Sequence, residues 1–150
     1  FGMDAQATIE SWLWKLEMIH RSGKEKNYTA ATGGFEYTFF GALDTAMDVG
    51  LVLEYLYDDQ GKDALTPFED DIASGLRLTL NDEQSTEALL GAIYDVEDGW
   101  VAYSLEASRR IGANWKLNID GRIYGNGNKG DLLRSFRKDD FLQLELAYYF

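Results

Sequence analysis

The sequence predicts an all-β fold: an antiparallel up-and-down meander of about eight or nine strands, curled into a barrel. Three observations predict it. Apolar and polar residues alternate with period two along nearly the whole chain, the spacing that puts successive side chains on opposite faces of a strand. Aromatic residues make up 14% of the chain, and Gly supplies 15 residues against a single Pro, a mixture suited to strands and turns. No window fits helical spacing better than alternation. Ser85 to Leu90 has a capping residue, but Gly91 and the Ile-Tyr pair after it weaken a helix there.

The elements follow in order. Phe1 to Thr8 alternates with its apolar residues at odd positions. Trp12 to Arg21 places Trp12, Trp14, Leu16 and Met18 on its apolar face, so the parity changes and a turn is expected within Ile9-Glu10-Ser11. A charged loop, Ser22 to Lys26, leads to a strand over Tyr28 to Phe40, with Phe35, Tyr37 and Phe39 opposite Glu36 and Thr38. Gly41 to Asp44 turns the chain. Met47 to Tyr57 alternates most cleanly, with Leu51, Leu53, Tyr55 and Tyr57 opposing Asp48, Gly50 and Glu54. Asp58 to Asp71, with the only proline, Pro67, and six carboxylates against one lysine, reads as a solvated loop.

Ile72 to Leu80 is the next strand, and Asn81 to Ser85 a polar turn. Thr86 to Val96 is apolar on both sides at its middle. Glu97-Asp98-Gly99 is a hairpin signal. Trp100 to Arg110 and Trp115 to Tyr124 are strands joined by a turn at Ile111 to Asn114. A loop rich in Gly, Asn and charge, Gly125 to Asp140, precedes the terminal strand, Phe141 to Phe150.

Size decides which face of the meander points outward. The apolar stripes carry about thirty large side chains, more than the interior of an eight-strand barrel holds. The opposite stripe, with Gly, Ala, Thr and Ser between its charges, suits a confined lumen. The greasy face is therefore expected outside, against lipid, with aromatics near strand ends as interface girdles. The expected girdle is Trp12, Trp14, Phe35, Tyr55, Tyr57, Trp115, Tyr148 and Phe150. The expected lumen lining is Lys15, Glu17, Glu36, Asp48, Glu54, Arg77, Glu87, Glu106, Arg110, Lys116, Asp120, Arg122 and Glu145. Short turns near Glu10, Leu43, Glu83 and Gly112 fall at one end. Longer or charged loops near Lys24, Lys62 and Lys129 fall at the other, the short Glu97 to Gly99 hairpin being the exception.

The terminal stretch FLQLELAYYF, with apolar Leu142, Leu144, Leu146 and Tyr148 leading to Phe150, resembles the carboxy-terminal signal of Gram-negative outer-membrane β-barrels. WLWKLE at Trp12 to Glu17 and SLEASRRIG followed by NWKL are similar to segments of large porin-like outer-membrane proteins. The resemblance implies a transmembrane barrel in the bacterial outer membrane. Its partners would be outer-membrane lipid and lipopolysaccharide, and assembly machinery that reads Leu142 to Phe150. It implies no particular solute.

Counting Phe1 to Thr8 gives nine strands, the first descending toward the periplasm. Bacterial single-chain barrels have even strand numbers and start from the periplasmic side. The expectation is a carboxy-terminal part of a larger barrel, completed by strands of the same or another chain. The alternative is a complete eight-strand barrel with an anchoring role.

Other chemistry is weaker. A formal charge of −12 argues against nucleic acid, and there is no cysteine for a disulfide or thiolate site. No run of apolar residues is long enough for a transmembrane helix. His20, the only histidine, has Ser22 nearby, as a lipid-modifying enzyme would want, but Ser22 falls in the loop and no carboxylate is spaced to orient the ring. A girdle residue is the expectation, with no catalytic residue, cofactor or metal. Asp58, Asp59, Asp63, Glu69, Asp70 and Asp71 match no calcium-loop spacing.

Overall fold

The computed structural model describes residues 1–23, 26–64, 66, 68–125 and 138–150. They form one nine-stranded antiparallel sheet in which every strand pairs with its sequence neighbour. The strands are β1 (Gly2–Ile9), β2 (Trp12–Arg21), β3 (Tyr28–Phe39), β4 (Asp48–Asp58), β5 (Asp70–Thr79), β6 (Glu87–Asp95), β7 (Val101–Ile111), β8 (Trp115–Tyr124) and β9 (Phe141–Tyr148). Two three-residue helical turns, Ala42–Asp44 and Gly61–Asp63, lie in the connections either side of β4. Lys24, Pro67 and Lys129 lie outside the described residues.

The parity change after β1 is a turn, with Glu10 at φ 53°. Most strand boundaries differ from the alternation by one or two residues, and only β2 and β8 coincide with it at both ends. β5 begins at Asp70 rather than Ile72, because Asp70 and Asp71 complete the ladder opposite Tyr57 and Leu56 of β4. Charge density suggests a loop there; cross-strand pairing overrides it. β4 is shifted by one residue, Trp100 precedes β7, and β9 stops before Tyr149. The division of connections by length is only partial: residues 40–47, at the short-turn end, exceed 22–27 and 96–100 at the other.

In an antiparallel pair, residues directly opposite each other share a face, so register carries the alternation of one strand across the sheet. One row runs Trp12, Tyr37, Leu51, Leu76, Leu90, Leu105 from β2 to β7. A row on the other face runs Lys15, Gly34, Glu54, Ala73, Ile93, Ala102, Tyr124. The sheet curls with its polar face inward; clefts of about 720 and 490 Å³ lie against it, and a further one of about 430 Å³ is lined by Arg77, Glu87, Glu106, Lys116 and Asp120. Phe68, from the segment between β4 and β5, lines the first two.

The distribution of exposure is inverted relative to a protein with an apolar core. Among the described residues the buried apolar side chains are Ala64 and Trp100, whereas at least twenty-nine large apolar side chains are exposed, from Phe1 to Phe150. The sheet does not close: β1 and β9 are each paired on one side only, and β1 is exposed along its length.

Candidate functional site

The inner wall gathers the charged residues of alternate positions into rows. Lys15 Nζ lies 3.6 Å from Glu54 Oε1, joining β2 to β4 across β3. Arg77 Nη1 lies 2.8 Å from Glu36 Oε1, joining β5 to β3 across β4. Both bridges pass over a strand where it carries glycine. Gly34 stands between Lys15 and Glu54 in register, and a Cβ on Gly50 would lie 3.3 Å from Glu36 Oε1 and 3.4 Å from Arg77 Cβ. Small residues at these positions leave room for long side chains to meet above the backbone.

The other expected lining residues are distributed less simply. Asp120 is 3.9 Å from Arg122 Nε, and the Arg122 guanidinium lies 6.0 Å from the Phe141 ring. Glu87 accepts from Ser108 Oγ at 3.0 Å, and Glu145 from Asn118 Nδ2 at 3.4 Å. Asp48 serves a turn, taking the Gly41 amide and Asn81 Nδ2. Glu106 stands opposite Asp120, and Arg110 opposite Lys116. Glu17 faces Asp4.

At the end of the wall where β4 joins β5, the row Asp4, Glu17, Thr32, Leu56, Asp71, Asp95 carries four carboxylates and no base. Asp71 is fully buried and Asp95 is 3% exposed. Neither Asp71 oxygen takes a well-formed hydrogen bond, while Asp95 Oδ1 accepts the Asp98 amide at 2.6 Å. Sequence reasoning missed Asp71 as a wall residue, although its parity continues that of Ala73, Gly75 and Arg77. Beside this row, Lys62 Nζ reaches Asp98 at 3.1 Å, which holds the lysine above its usual pKa. Glu69 is also pushed up, by burial first and then by the charges of Asp95, Glu97 and Asp98.

On the outer face, Trp12, Trp14, Phe35 and Tyr37 form one aromatic cluster, with ring centroids 4.6–5.5 Å apart. Trp115 and Tyr148 form another, 4.8 Å apart, with Phe150 next to Tyr148. Both clusters lie at the end bearing the 10–11 and 112–114 turns. Tyr55 and Tyr57 lie toward the opposite end, where the Tyr55 hydroxyl donates to Asp70 at 2.6 Å.

His20 and Ser22 do meet, contrary to the separation expected from loop placement. Ser22 Oγ is 3.3 Å from His20 Nε2, and His20 Nδ1 is 2.9 Å from Thr29 Oγ1. The orienting group is a neutral hydroxyl, and the amide following Ser22, that of Gly23, is already given to Asn27 Oδ1. That amide is not available to stabilise an oxyanion. Among the described residues no group of three or more His, Asp or Glu side chains is placed to hold a metal ion. Compared with known proteins, the chain matches no family model, no curated protein and no solved structure.

Proposed function

We propose that this chain is part of the wall of a Gram-negative outer-membrane β-barrel, with its inner face lining a passive diffusion path for small solutes. The observation that carries the reading is the inverted burial: a nine-stranded meander with most of its exposed large apolar side chains on one face and the Lys15–Glu54 and Arg77–Glu36 bridges on the other. In water such a surface would aggregate; against hydrocarbon it is the low-energy arrangement. The two aromatic zones fit the interface levels of a bilayer.

An open sheet edge is not tolerated in lipid, so β1 and β9 require partner strands, in the same or another chain. Outer-membrane lipid and lipopolysaccharide would cover the apolar face, and barrel-assembly machinery would engage Leu142 to Phe150. The excess of carboxylates over bases among the expected lining residues gives the path a mild preference for cations. The anchoring alternative needs a closed sheet of eight strands, and the open nine-stranded sheet does not favour it.

Conductance of the intact purified protein in planar bilayers tests the proposal. Stepwise, weakly cation-selective currents are expected; a correctly inserted protein that never conducts would overturn the transport reading.

A further inference from the structure

The inner-wall corner at the β4–β5 end contains an electrostatic problem that the solute path does not explain. Asp71 and Asp95 stand directly opposite on β5 and β6, so their β-carbons are roughly 5 Å apart. Both are buried. Among the described residues no basic group pairs with Asp71: on β4 it faces Leu56, and the neighbouring charges are Glu69 and Asp70, with Glu97 and Asp98 beside Glu69. The nearby cation, Lys62, is engaged with Asp98. Two buried carboxylates facing each other at this separation repel across the ladder, and burial with no counter-charge among the described residues disfavours the charged form of Asp71.

We propose that Asp71 carries a proton at neutral pH, and that this neutral acid facing Asp95 keeps the rim of β5 and β6 closed. When the proton leaves at alkaline pH, two like charges face each other across the ladder and the corner loosens. The backbone bond from the Val96 amide to the Asp70 carbonyl, 2.9 Å, and the burial of Trp100 at 1% exposure are the features this loosening disturbs. The inference rests on sheet geometry and is independent of conduction.

The test uses the intact protein with Trp12, Trp14 and Trp115 replaced by Phe, so that Trp100 reports on the corner. Its emission is followed in detergent from about pH 4 to about pH 10, the ordinary carboxyl and tyrosine values. The expected result is a blue, quencher-protected emission at low pH that shifts red in one transition, its midpoint well above the ordinary carboxyl value. Asp71→Asn removes the transition and keeps the low-pH spectrum throughout. Infrared spectra at neutral pH should show the carbonyl stretch of a protonated carboxylic acid, lost in Asp71→Asn. A missing band, a transition unchanged in Asp71→Asn, or one governed by calcium and chelator rather than by pH would each overturn the protonated Asp71. The last would assign the pair to a bound cation.

Discussion

Arg77 and Glu36 sit on strands that are not neighbours, yet their side chains meet at 2.8 Å over the backbone of β4. Gly50, beside the contact, supplies the space. The pairing also explains how a carboxylate as buried as Glu36, at 8% exposure, is accommodated on the inner wall. A buried charge is costly without a partner.

Removing this base should therefore cost more than removing one whose carboxylate partner is more exposed. Arg77→Met is expected to lower stability by about 1–3 kcal/mol, because it strands Glu36. Lys15→Met, whose partner Glu54 is more exposed at 3.6 Å, should cost below about 1 kcal/mol. Urea unfolding in detergent, with both variants measured in parallel, checks the order; equal losses would mean the Arg77 bridge is not what stabilises Glu36.

The glycines under the bridges should not accept side chains. A Cβ on Gly34 would run into the Leu53 carbonyl oxygen and the Glu54 Cα, so the backbone itself must shift. Gly34→Ala is expected to destabilise by about 1–3 kcal/mol. Gly61→Ala has open space, and only its positive φ of 52° opposes it; a loss of about 1 kcal/mol is expected. Thermal unfolding of the two variants distinguishes crowding from backbone strain.

The turn joining β5 to β6 should show an acid-dependent contribution. The Thr86 amide and hydroxyl both donate to Asp82 at 2.7 Å and hold its carboxyl below the ordinary pKa. A depressed folded pKa gives stability that is present above the unfolded value of about 3.9 and is lost as pH falls through the folded one. Wild type should exceed Asp82→Ala in unfolding midpoint at neutral pH, with the gap narrowing only below about pH 4. A gap that is constant with pH would place the effect in geometry rather than charge.

Neighbouring positions on one strand should respond oppositely to charge. Leu51 is exposed on the outer face and Val52 belongs to the inner wall. Leu51→Arg is expected to cost about 2–4 kcal/mol if its level is the bilayer midplane, reducing the folded fraction in membrane preparations. Val52→Arg, facing the cleft, should insert near the wild-type level. Heat-modifiable mobility on electrophoresis is the measurement.

Much of the fold was legible because period-two alternation is a local signal. Trp12 to Arg21 and Trp115 to Tyr124 carry it strongly, and their observed boundaries match. The neighbour order follows from short connections. Asp70 and Asp71 were not legible as strand residues, since their composition is that of a loop and only pairing with Tyr57, Leu56 and Asp95 draws them into the sheet. Trp100 likewise alternates like a strand residue, but its burial depends on chain distant in sequence. The strand-skipping bridges were equally hidden: Lys15 with Glu54 and Glu36 with Arg77 depend on sheet curvature and on glycines placed by register, which no single segment encodes. Ser22 reaching His20 is a matter of loop path rather than residue spacing.

The central claim is that hydrocarbon covers the outer face, and the distribution of tryptophan gives it a direct test. Single-tryptophan variants retaining Trp14, Trp115 or Trp100 are reconstituted in bilayers containing phospholipid brominated on its acyl chains. Trp14 and Trp115, which are 46% and 43% exposed, should be strongly quenched, and the buried Trp100 should not. If Trp14 and Trp115 escape the brominated chains and are instead quenched by a water-soluble agent, the outer face meets water and the membrane assignment is contradicted.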